Sequence, residues 1–314
     1  MNLDIVGFAA INEDRIKYLD KPVKEHEAFS PERLGKLPYD ERFLGGSVVN
    51  TIVGLTRLKL NVALIGKLGN DESAKFLQAQ LEKYNVKFYA PQVEGSSSIA
   101  YIEVGNNKQR SIRINPGVND TITWNDIRPY SDLIKNAKLV HMASFACAFN
   151  RYESLLTEAK ISKTARKASF SPGTLYCKYV RQKNPDPIME ILQNTDILIL
   201  NREEAEELSG TSYQEAADKL IQKHGIEILA ITLGDKGCIV ADKNECHLIP
   251  AYKVRVVDTT GAGDAFTTGF LYGYLKGKKL EECGRLGNKV AAYCIQRKGA
   301  IEGLPTEKEL LSDM

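Results

Sequence analysis

Short apolar runs alternate with amphipathic helical patterns along most of the chain. The runs are rich in β-branched residues and predict buried strands at residues 3–8, 62–65, 139–142, 168–170, 197–200 and 226–231. Between them, apolar residues spaced by three and four predict helices at residues 48–58, 71–84, 152–160, 187–192, 202–208 and 213–223. Strands that alternate with helices imply right-handed crossovers and a mostly parallel sheet covered on both faces. The sequence therefore predicts an α/β fold.

Two stretches interrupt this alternation. Residues 11–44 are charged and predict loops, whereas residues 86–117 predict strands in succession, at 87–89, 99–104 and 110–114, with a turn signal at 105–107. Successive strands without helices indicate a small antiparallel sheet, which we expect to project as a lid from one edge of the main sheet. We expect one domain over residues 1–314, with the lid formed by about 11–44 and 86–117. Residues 130–135 and 307–314 are interpreted as connectors.

Composition and charge exclude several classes of protein. The 314 residues are 43% hydrophobic and 26% charged, with a net charge of +2, as in an ordinary folded protein. Such balanced charge gives no general field for nucleic acid or membrane surfaces. No apolar run approaches the roughly 18 residues that span a bilayer. We therefore expect neither nucleic acid nor membrane as a partner.

The cysteines and histidines show no metal-site spacing. The six cysteines are scattered without a CxxC pair, and the four histidines are isolated along the chain. A bridge is conceivable where Cys238 and Cys246 flank a predicted hairpin, but free thiols in a reducing compartment fit the scatter better. The chain also starts without a basic segment followed by an apolar stretch, which argues against a secretory signal. We expect a cytoplasmic protein.

The densest chemical signal is the run Asp-Thr-Thr-Gly-Ala-Gly-Asp at residues 258–264, directly before a helical pattern. Gly261, Ala262 and Gly263 would point free N–H groups from a helix N-terminus toward an anion. Asp264 would sit beside that anion, where a carboxylate can take a proton from an attacking hydroxyl. The alternative is a glycine-rich turn with Asp264 as a helix-stabilising acid.

Two further motifs follow apolar strands. Asn201 and Glu204 come directly after residues 197–200, so they would lie in the crevice at the carboxyl ends of the strands. Asn201 could contact phosphate and Glu204 could hold a hydrated Mg²⁺, although a helix cap explains the same pattern. The run Thr-Leu-Gly-Asp-Lys-Gly at 232–237 follows the next strand and could wrap a nucleotide, or form only a hairpin turn.

Polar residues near the start of the chain suggest a second binding area. Gly45 and Gly46 open the first helix, and Asn50 lies one turn into it, where it could bind substrate hydroxyls. Asn12 and Asp14 follow the first strand, and alternation would put both on one side of an extended segment, which suits a vicinal diol. Taken separately, each pair is also typical of turns.

Other phosphate-binding signatures are absent. The sequence has no Walker A loop, and no GxGxxG follows the first strand. If the protein transfers phosphoryl groups, the phosphate must therefore lie against residues 261–263.

Together these motifs resemble the ribokinase/PfkB family of carbohydrate and nucleoside kinases. Residues 258–264 are similar to the C-terminal signature of that family, and residues 44–50 to its N-terminal signature. The resemblance covers nearly the whole chain and implies a three-layer α/β/α domain with a β lid. It further implies an ATP-dependent, Mg²⁺-assisted kinase that phosphorylates a hydroxyl of a small sugar.

The resemblance also implies a role for each motif. Asp264 would be the general base, residues 261–263 the anion hole for the γ-phosphoryl group, and Asn201 and Glu204 would organise Mg²⁺ and phosphates through water. The ATP site would be lined by Thr232, Gly234, Gly237, Asn288 and Gly299. The sugar would be held by Asn12, Asp14, Gly45, Gly46 and Asn50. Asp258 and Thr260 resemble a monovalent-cation site, so K⁺ is a further candidate.

The substrate half leaves alternatives open. Ser144 falls where ribokinases carry an acidic sugar contact, and Arg113 in the lid would either face the substrate or lie on a solvated face. A nucleoside is therefore a second candidate acceptor, with its base stacked on Phe145, Phe149 or Tyr101. A sugar- or nucleotide-binding module without turnover is a third reading. Because the lid has open edges, we expect a homodimer, with Ile99, Tyr101, Ile112 and Ile114 pairing across a two-fold axis.

Overall fold

The structure is a computed structural model that describes residues 3–22, 36–106, 110–143, 151–174, 176–178 and 186–312. Within these residues, nine strands form one large sheet. They are β1 Ile5–Phe8, β4 Val62–Ile65, β5 Lys87–Tyr89, β8 Leu139–Ala143, β9 Ala168–Ser171, β10 Ile197–Asn201, β11 Ile228–Thr232, β12 Cys238–Ala241 and β13 Cys246–Ile249. Their order in the sheet is β13-β12-β11-β10-β9-β8-β1-β4-β5, and all neighbours pair in parallel except β11–β12 and β12–β13.

Helices cover both faces of this sheet, as predicted. In chain order they are α1 Ser47–Arg57, α2 Glu72–Lys83, α3 Trp124–Ile127, α4 Ser131–Asn136, α5 Arg151–Thr164, α6 Asp186–Gln193, α7 Arg202–Ser209, α8 Tyr213–His224, α9 Ala262–Leu275, α10 Leu280–Cys294 and α11 Glu307–Leu311. The buried apolar residues form two clusters, one on each side of the sheet. Short strands such as β1 and β4 are buried at every position, which explains their uninterrupted apolar sequences.

The order of the strands places the functional crevice. From β1 the chain moves outward to β4 and β5 on one side and returns to β8, β9, β10 and β11 on the other. In open α/β sheets, ligands bind beyond the carboxyl ends of the strands near such a reversal. The predicted motifs at Asn201 and Thr232 end β10 and β11 at that edge.

A smaller sheet, called the lid sheet here, contains β2 Asn12–Tyr18, β3 Glu41–Gly45, β6 Ser98–Val104 and β7 Arg110–Asn115, in the order β3-β2-β6-β7. The predicted small sheet is thus present, but three details of its prediction are wrong. Residues 12–18 and 41–45 form strands instead of loops. The pairing of β2 with β6 is parallel, and β5 at residues 87–89 joins the large sheet beside β4.

One face of the lid sheet packs on α2. The buried Glu13 carboxylate accepts two hydrogen bonds from Arg15, at 3.0 and 3.1 Å, and Arg15 also donates to Ser73 at the start of α2. Arg42 lies 4.2 Å over the ring of Phe76 in the same helix. Because side chains alternate along a strand, the opposite face of the lid sheet carries Asn12 and Asp14.

The remaining expectations about local structure have mixed outcomes. The connectors expected at 130–135 and 307–314 contain the short helices α4 and α11. In the strand register of the hairpin, Cys238 lies opposite Ile249 and not opposite Cys246. The described cysteines, which exclude Cys147, are free thiols, so the bridge considered between Cys238 and Cys246 is not formed. Among the described residues, no helix is long and apolar enough to cross a membrane.

Candidate active site

The N-terminus of α9 forms the centre of the site. Gly261 is its N-cap and has a φ of 74°, a left-handed conformation that favours glycine, and a Cβ there would overlap Ala300. The first N–H groups of a helix lack partners within the helix. The N–H of Ala262 nevertheless donates to the Thr259 carbonyl at 3.2 Å. A Cβ at Gly263 would meet no atom within 4 Å, so the backbone there is open to a ligand.

The Asp264 carboxylate is held by two side chains from the start of α1. The Ser47 hydroxyl donates to Oδ1 at 2.6 Å, and the Asn50 amide donates to Oδ2 at 2.8 Å. Burial raises the pKa of Asp264 above its ordinary value, while both hydrogen bonds act in the opposite direction. The result is an oriented carboxylate of increased basicity in the first turn of α9, as a general base requires.

One polar atom of Asn50, its amide oxygen, is not used in holding Asp264. The residue is 7% exposed, and its amide oxygen has no hydrogen-bond partner among the described residues. An unpaired buried acceptor is costly, so this atom needs a donor from water or from a ligand. A substrate hydroxyl beside Asp264 would be that donor.

The lid sheet brings a second carboxylate toward the first. Burial, followed by the charges of Asp264 and Glu13, raises the pKa of Asp14 to about 7. Asn12 projects from the same face, two residues earlier, and the register places Asn12 opposite Gly45. A Cβ at Gly45 would overlap the Asp14 carboxylate. Gly46 is the N-cap of α1, between this area and Ser47.

Asn201 and Glu204 form a capping box at the start of α7. The Asn201 side chain accepts from the Glu204 N–H at 2.9 Å, and Glu204 accepts from the Asn201 N–H at 2.9 Å. Glu204 Oε1 also accepts from the Asn201 amide at 2.7 Å and from the Thr174 hydroxyl at 3.2 Å. Burial raises the pKa of Glu204. Glu204 and Asn201 also line a cavity of about 220 Å³ with Asp264, so both residues that form the cap face this cavity.

A larger cavity of about 770 Å³ adjoins the small one. Gly263 and Thr232 line both, so the two cavities meet at the N-terminus of α9. Asn288 in α10 also lines the large cavity, and its amide is anchored by the Ile249 and Pro250 carbonyls at 3.2 and 3.1 Å. The other predicted nucleotide residues in its lining are Gly234 and Gly237.

Asp258, Thr260 and Gly299 are joined at a third position. The Asp258 carboxylate accepts from the N–H and hydroxyl of Thr260, at 3.0 and 2.7 Å, and from the Gly299 N–H at 3.0 Å. All three line a cavity of about 580 Å³ that also contains Asp14. Gly299 is therefore on the lid side of α9, away from the 770 Å³ cavity that its predicted role assumed. No group of three or more histidine, cysteine or acidic residues suited to a metal occurs in the described part of the chain.

Some predicted substrate contacts are not brought to this cluster. Arg113 pairs with Glu103 at 2.8 Å, and the register places it opposite Tyr101, on the lid face away from Asp14. Tyr101 is buried on that face, with its hydroxyl donating to the Pro38 carbonyl. Stacking of a base on Tyr101 is therefore excluded. Ser144, Phe145 and Phe149 lie outside the described residues.

The structure adds two residues that the motifs alone did not identify. Ser47 contacts Asp264, and Thr174 contacts Glu204. Ser47 lies three residues before Asn50, a spacing that puts both on one face of a helix, so helical periodicity could have suggested it. Thr174 has no comparable signal in the sequence.

An oriented carboxylate in the first turn of a helix, with open backbone beside a large cavity, is the arrangement that phosphoryl transfer to a hydroxyl requires. The comparisons agree. Residues 10–307 match the pfkB family carbohydrate kinase profile, and the chain belongs to that family. An uncharacterized sugar kinase of Archaeoglobus fulgidus is 43% identical over 254 residues, covering 81% of this chain and 98% of the relative.

Two other relatives show the breadth of the family. A nucleoside kinase of Methanocaldococcus jannaschii is 28% identical over 279 residues, covering 86% of this chain and 85% of its own. The crystal structure of a ribokinase from Thermotoga maritima superposes with a TM-score of 0.78 at 25% identity, covering 98% of both chains. The fold is thus ribokinase-like, and the protein is a sugar or nucleoside kinase.

Proposed function

We propose that the protein transfers the γ-phosphoryl group of ATP to a hydroxyl of a sugar, with Asp264 as general base. The observation that carries the proposal is the Asp264 carboxylate itself. It is fixed by Ser47 and Asn50, and it faces a small cavity lined by Gly263 and Glu204. The acceptor sugar is either free or part of a nucleoside.

The nucleotide side of the site would bind ATP and stabilise its terminal phosphate. ATP would occupy the 770 Å³ cavity, with its terminal phosphate against Gly263 at the junction with the small cavity. The N–H groups of Gly263 and Asp264, together with the positive end of α9, would stabilise negative charge on the phosphoryl oxygens. The Ala262 N–H already donates to the Thr259 carbonyl, so the anion hole that we propose would not use every N–H group of residues 261–263.

On the acceptor side, Asp264 would remove the proton from the attacking hydroxyl. Asn12, Asp14 and the unpaired Asn50 oxygen would bind neighbouring hydroxyls and hold the sugar in line. The lid sheet, anchored to α2, would cover the sugar and exclude water.

A magnesium ion would bind in the small cavity through its own water molecules and not directly to protein atoms. Both oxygens of Glu204 already accept protein hydrogen bonds, and Glu204 and Asn201 present oxygen atoms of the type Mg²⁺ favours. Such a pair suits an ion that keeps its own waters. When bound, Mg²⁺ would supply charge neutralisation for the nucleotide phosphates.

The first experiment measures ADP formation from ATP and Mg²⁺ with ribose, fructose, 2-keto-3-deoxygluconate, cytidine, inosine and adenosine. We expect acceptor-dependent turnover and slow ATP hydrolysis without acceptor. A protein that binds these compounds but consumes no ATP with any of them would be a binding module, and the proposal would fail.

The second experiment replaces the base. Asp264→Asn should keep ATP binding and lower kcat by about 10² to 10⁴. Asp132→Asn is the matched control, because Asp132 is an exposed acid in the first turn of α4. Equal turnover in wild type and Asp264→Asn would refute the assignment.

Two further parts of the proposal concern potassium and assembly. The Asp258–Thr260 turn and the loop at Gly299 would form a K⁺ site, so activity should be higher in K⁺ than in Na⁺.

Ile112 and Ile114 are 57% and 40% exposed on the lid sheet, whereas Ile99 and Tyr101 are buried. A lid-to-lid dimer would therefore use Ile112 and Ile114, and sedimentation that shows only monomer at micromolar concentration would reject it.

A further inference from the structure

A buried asparagine that none of the sequence motifs contains lies beside Asn12. Asn119 belongs to the 3₁₀ turn Gly117–Thr121, directly after β7, and is 1% exposed. Its amide nitrogen donates to the Ile11 carbonyl at 3.2 Å and to Oδ1 of Asn12 at 3.5 Å. One side chain thus contacts both the backbone and a predicted sugar-binding side chain at the start of β2.

The turn that carries Asn119 is fixed to other parts of the chain. Lys67, which follows β4 and is 6% exposed, donates to the Thr121 carbonyl at 3.0 Å. The Val118 N–H donates to the Ser96 carbonyl at 2.9 Å. Asn119 is therefore held between two anchored residues, as a side chain that sets the position of another requires.

The side chains expected around the sugar supply mainly hydrogen-bond acceptors. Asp264 and Asp14 are carboxylic acids, and the Asn50 amide nitrogen already donates to Asp264. A sugar hydroxyl has one hydrogen to donate and two lone pairs that accept. Asn12, on the same face of the lid sheet as Asp14, has an amide N–H₂ group that can supply the missing donors.

The orientation of the Asn12 amide decides whether that group faces the sugar. The oxygen and nitrogen of an amide have nearly the same size, so packing alone does not choose between them. The Asn119 N–H₂ group lies against Oδ1 of Asn12, which leaves the Asn12 nitrogen for the other side. The reverse orientation would oppose two N–H₂ groups and leave a buried donor without a partner, which is costly.

The bond to Ile11 defines a competing, purely structural role for Asn119. Ile11 lies where the chain passes from β1 into the lid sheet. Loss of that bond would displace the start of β2 and weaken sugar binding whichever side chain stands at position 12. The two roles therefore differ in whether the effect of replacing Asn119 requires the Asn12 side chain.

We propose that Asn119 is a positioning residue, which holds the Asn12 amide with its nitrogen toward the sugar. Asn12 then donates a hydrogen bond to one hydroxyl, while Asp14 accepts from a neighbouring hydroxyl. This inference rests on the proposed function, because it takes Asn12 as a sugar contact. It adds the residue that decides which end of Asn12 the sugar meets.

The test is a double-mutant cycle of Asn119→Ala, Asn12→Ala and the double variant. The acceptor is whichever of ribose, fructose, 2-keto-3-deoxygluconate, cytidine, inosine and adenosine gives the highest kcat/KM. Asn119→Ala should raise KM for this acceptor about threefold to tenfold, with kcat and KM for ATP unchanged. In the Asn12→Ala background, the same substitution should change KM by less than about twofold, because the side chain that it orients is gone.

Two further variants keep the test decisive. Asn119→Ser fills more of the buried space than alanine but is too short to reach Asn12, so it should reproduce the effect of Asn119→Ala if that variant fails to fold. Asn12→Asp keeps an oxygen that accepts from Asn119 and replaces the amide nitrogen with a second oxygen. It should raise KM for the acceptor tenfold or more, and an unchanged KM would overturn the inference.

Asn194→Ala is the matched control. The Asn194 amide donates to the Glu190 backbone carbonyl at 2.7 Å, a bond of the same kind as that from Asn119 to Ile11. Asn194 precedes β10 and thus lies at the amino edge of the large sheet, opposite the candidate site. Its replacement should lower the melting temperature and leave both KM values unchanged.

The remaining outcomes separate this inference from the proposed function. If Asn119→Ala raises KM by the same factor with Asn12 and with Ala at position 12, Asn119 acts through the backbone; the inference is overturned and the kinase proposal stands. If no compound yields ADP, the kinase proposal falls, and the same cycle measured as Kd by calorimetry without ATP supports or overturns the inference by the same criterion. If none of the six compounds binds to wild type, both are wrong.

Discussion

The Asp14 carboxyl makes the stability of the protein depend on pH in a defined direction. Its pKa is about 7 in the folded protein and 3.8 in an unfolded chain, because burial and the charge of Asp264 disfavour ionisation. Between these values the folded state binds a proton that the unfolded state has released. The contribution of Asp14 is therefore fully present below pH 3.8 and is lost as pH rises through about 7.

The size of the effect follows from that difference. About three pKa units correspond to roughly 4 kcal/mol. Asp14 is only half-buried, so solvent screening reduces this, and we expect about 2 kcal/mol. Asp14→Asn removes the titrating group, so the variant should gain about 2 kcal/mol of unfolding free energy relative to wild type between pH 4 and pH 8.

Urea denaturation followed by circular dichroism at several pH values between 4 and 8 measures this difference. Subtracting wild type from the variant cancels most other titrating groups. Asp40→Asn is the control, because Asp40 bonds Lys17 at 2.7 Å and that bond lowers the pKa of Asp40. Asp40 is ionised at pH 5 and above, so its replacement should lower stability equally from pH 5 to 8.

The result that would refute the reasoning is a constant difference between Asp14→Asn and wild type over the whole pH range. It would mean that water reaches Asp14 freely and that Asp264 does not influence it. The same variant should raise KM for the acceptor, since the group that weakens folding at neutral pH is the one that we propose binds the sugar.

Three other substitutions test single contacts. Asn50→Ala removes the donor that lowers the pKa of Asp264, so kcat should fall roughly tenfold to a hundredfold and the acid limb of the kcat–pH profile should move to higher pH. Gly45→Ala adds a methyl group that overlaps Asp14, so KM for the acceptor should rise at least tenfold while KM for ATP stays constant; equal changes in both would contradict the geometry. Gly237→Ala should lower the melting temperature by several degrees, because φ is 96° there and the methyl would overlap a strand carbonyl; an unchanged temperature would show that the turn relaxes.

Much of the large sheet could be predicted from the sequence, because its strands are buried on both faces and read as continuous apolar runs. Residues 62–65 were predicted with the bounds that β4 has. The lid sheet was harder, since β2 reads Asn-Glu-Asp-Arg-Ile-Lys-Tyr. One of its faces uses charged residues to contact α2, so the usual alternation of apolar and polar residues is absent.

The candidate site shows the same division between local and long-range information. Asp264 and its glycines could be identified because a helix N-terminus is encoded in consecutive residues. The contact of Ser47 with Asp264 spans 217 positions, and no local pattern contains it. The position of Arg113 likewise depended on which face of β7 it occupies, and that was fixed only by pairing with β6.

The hydrogen bonds from Ser47 and Asn50 to Asp264 have a consequence for synthesis of the chain. The base and the amides that would meet the phosphate arrive in the last fifth of the sequence, long after the residues that orient them. A nascent chain shorter than about 264 residues has the residues that we propose bind the sugar but lacks the carboxylate that we propose activates it. Truncated products should therefore be unable to consume ATP, whichever ligand they bind.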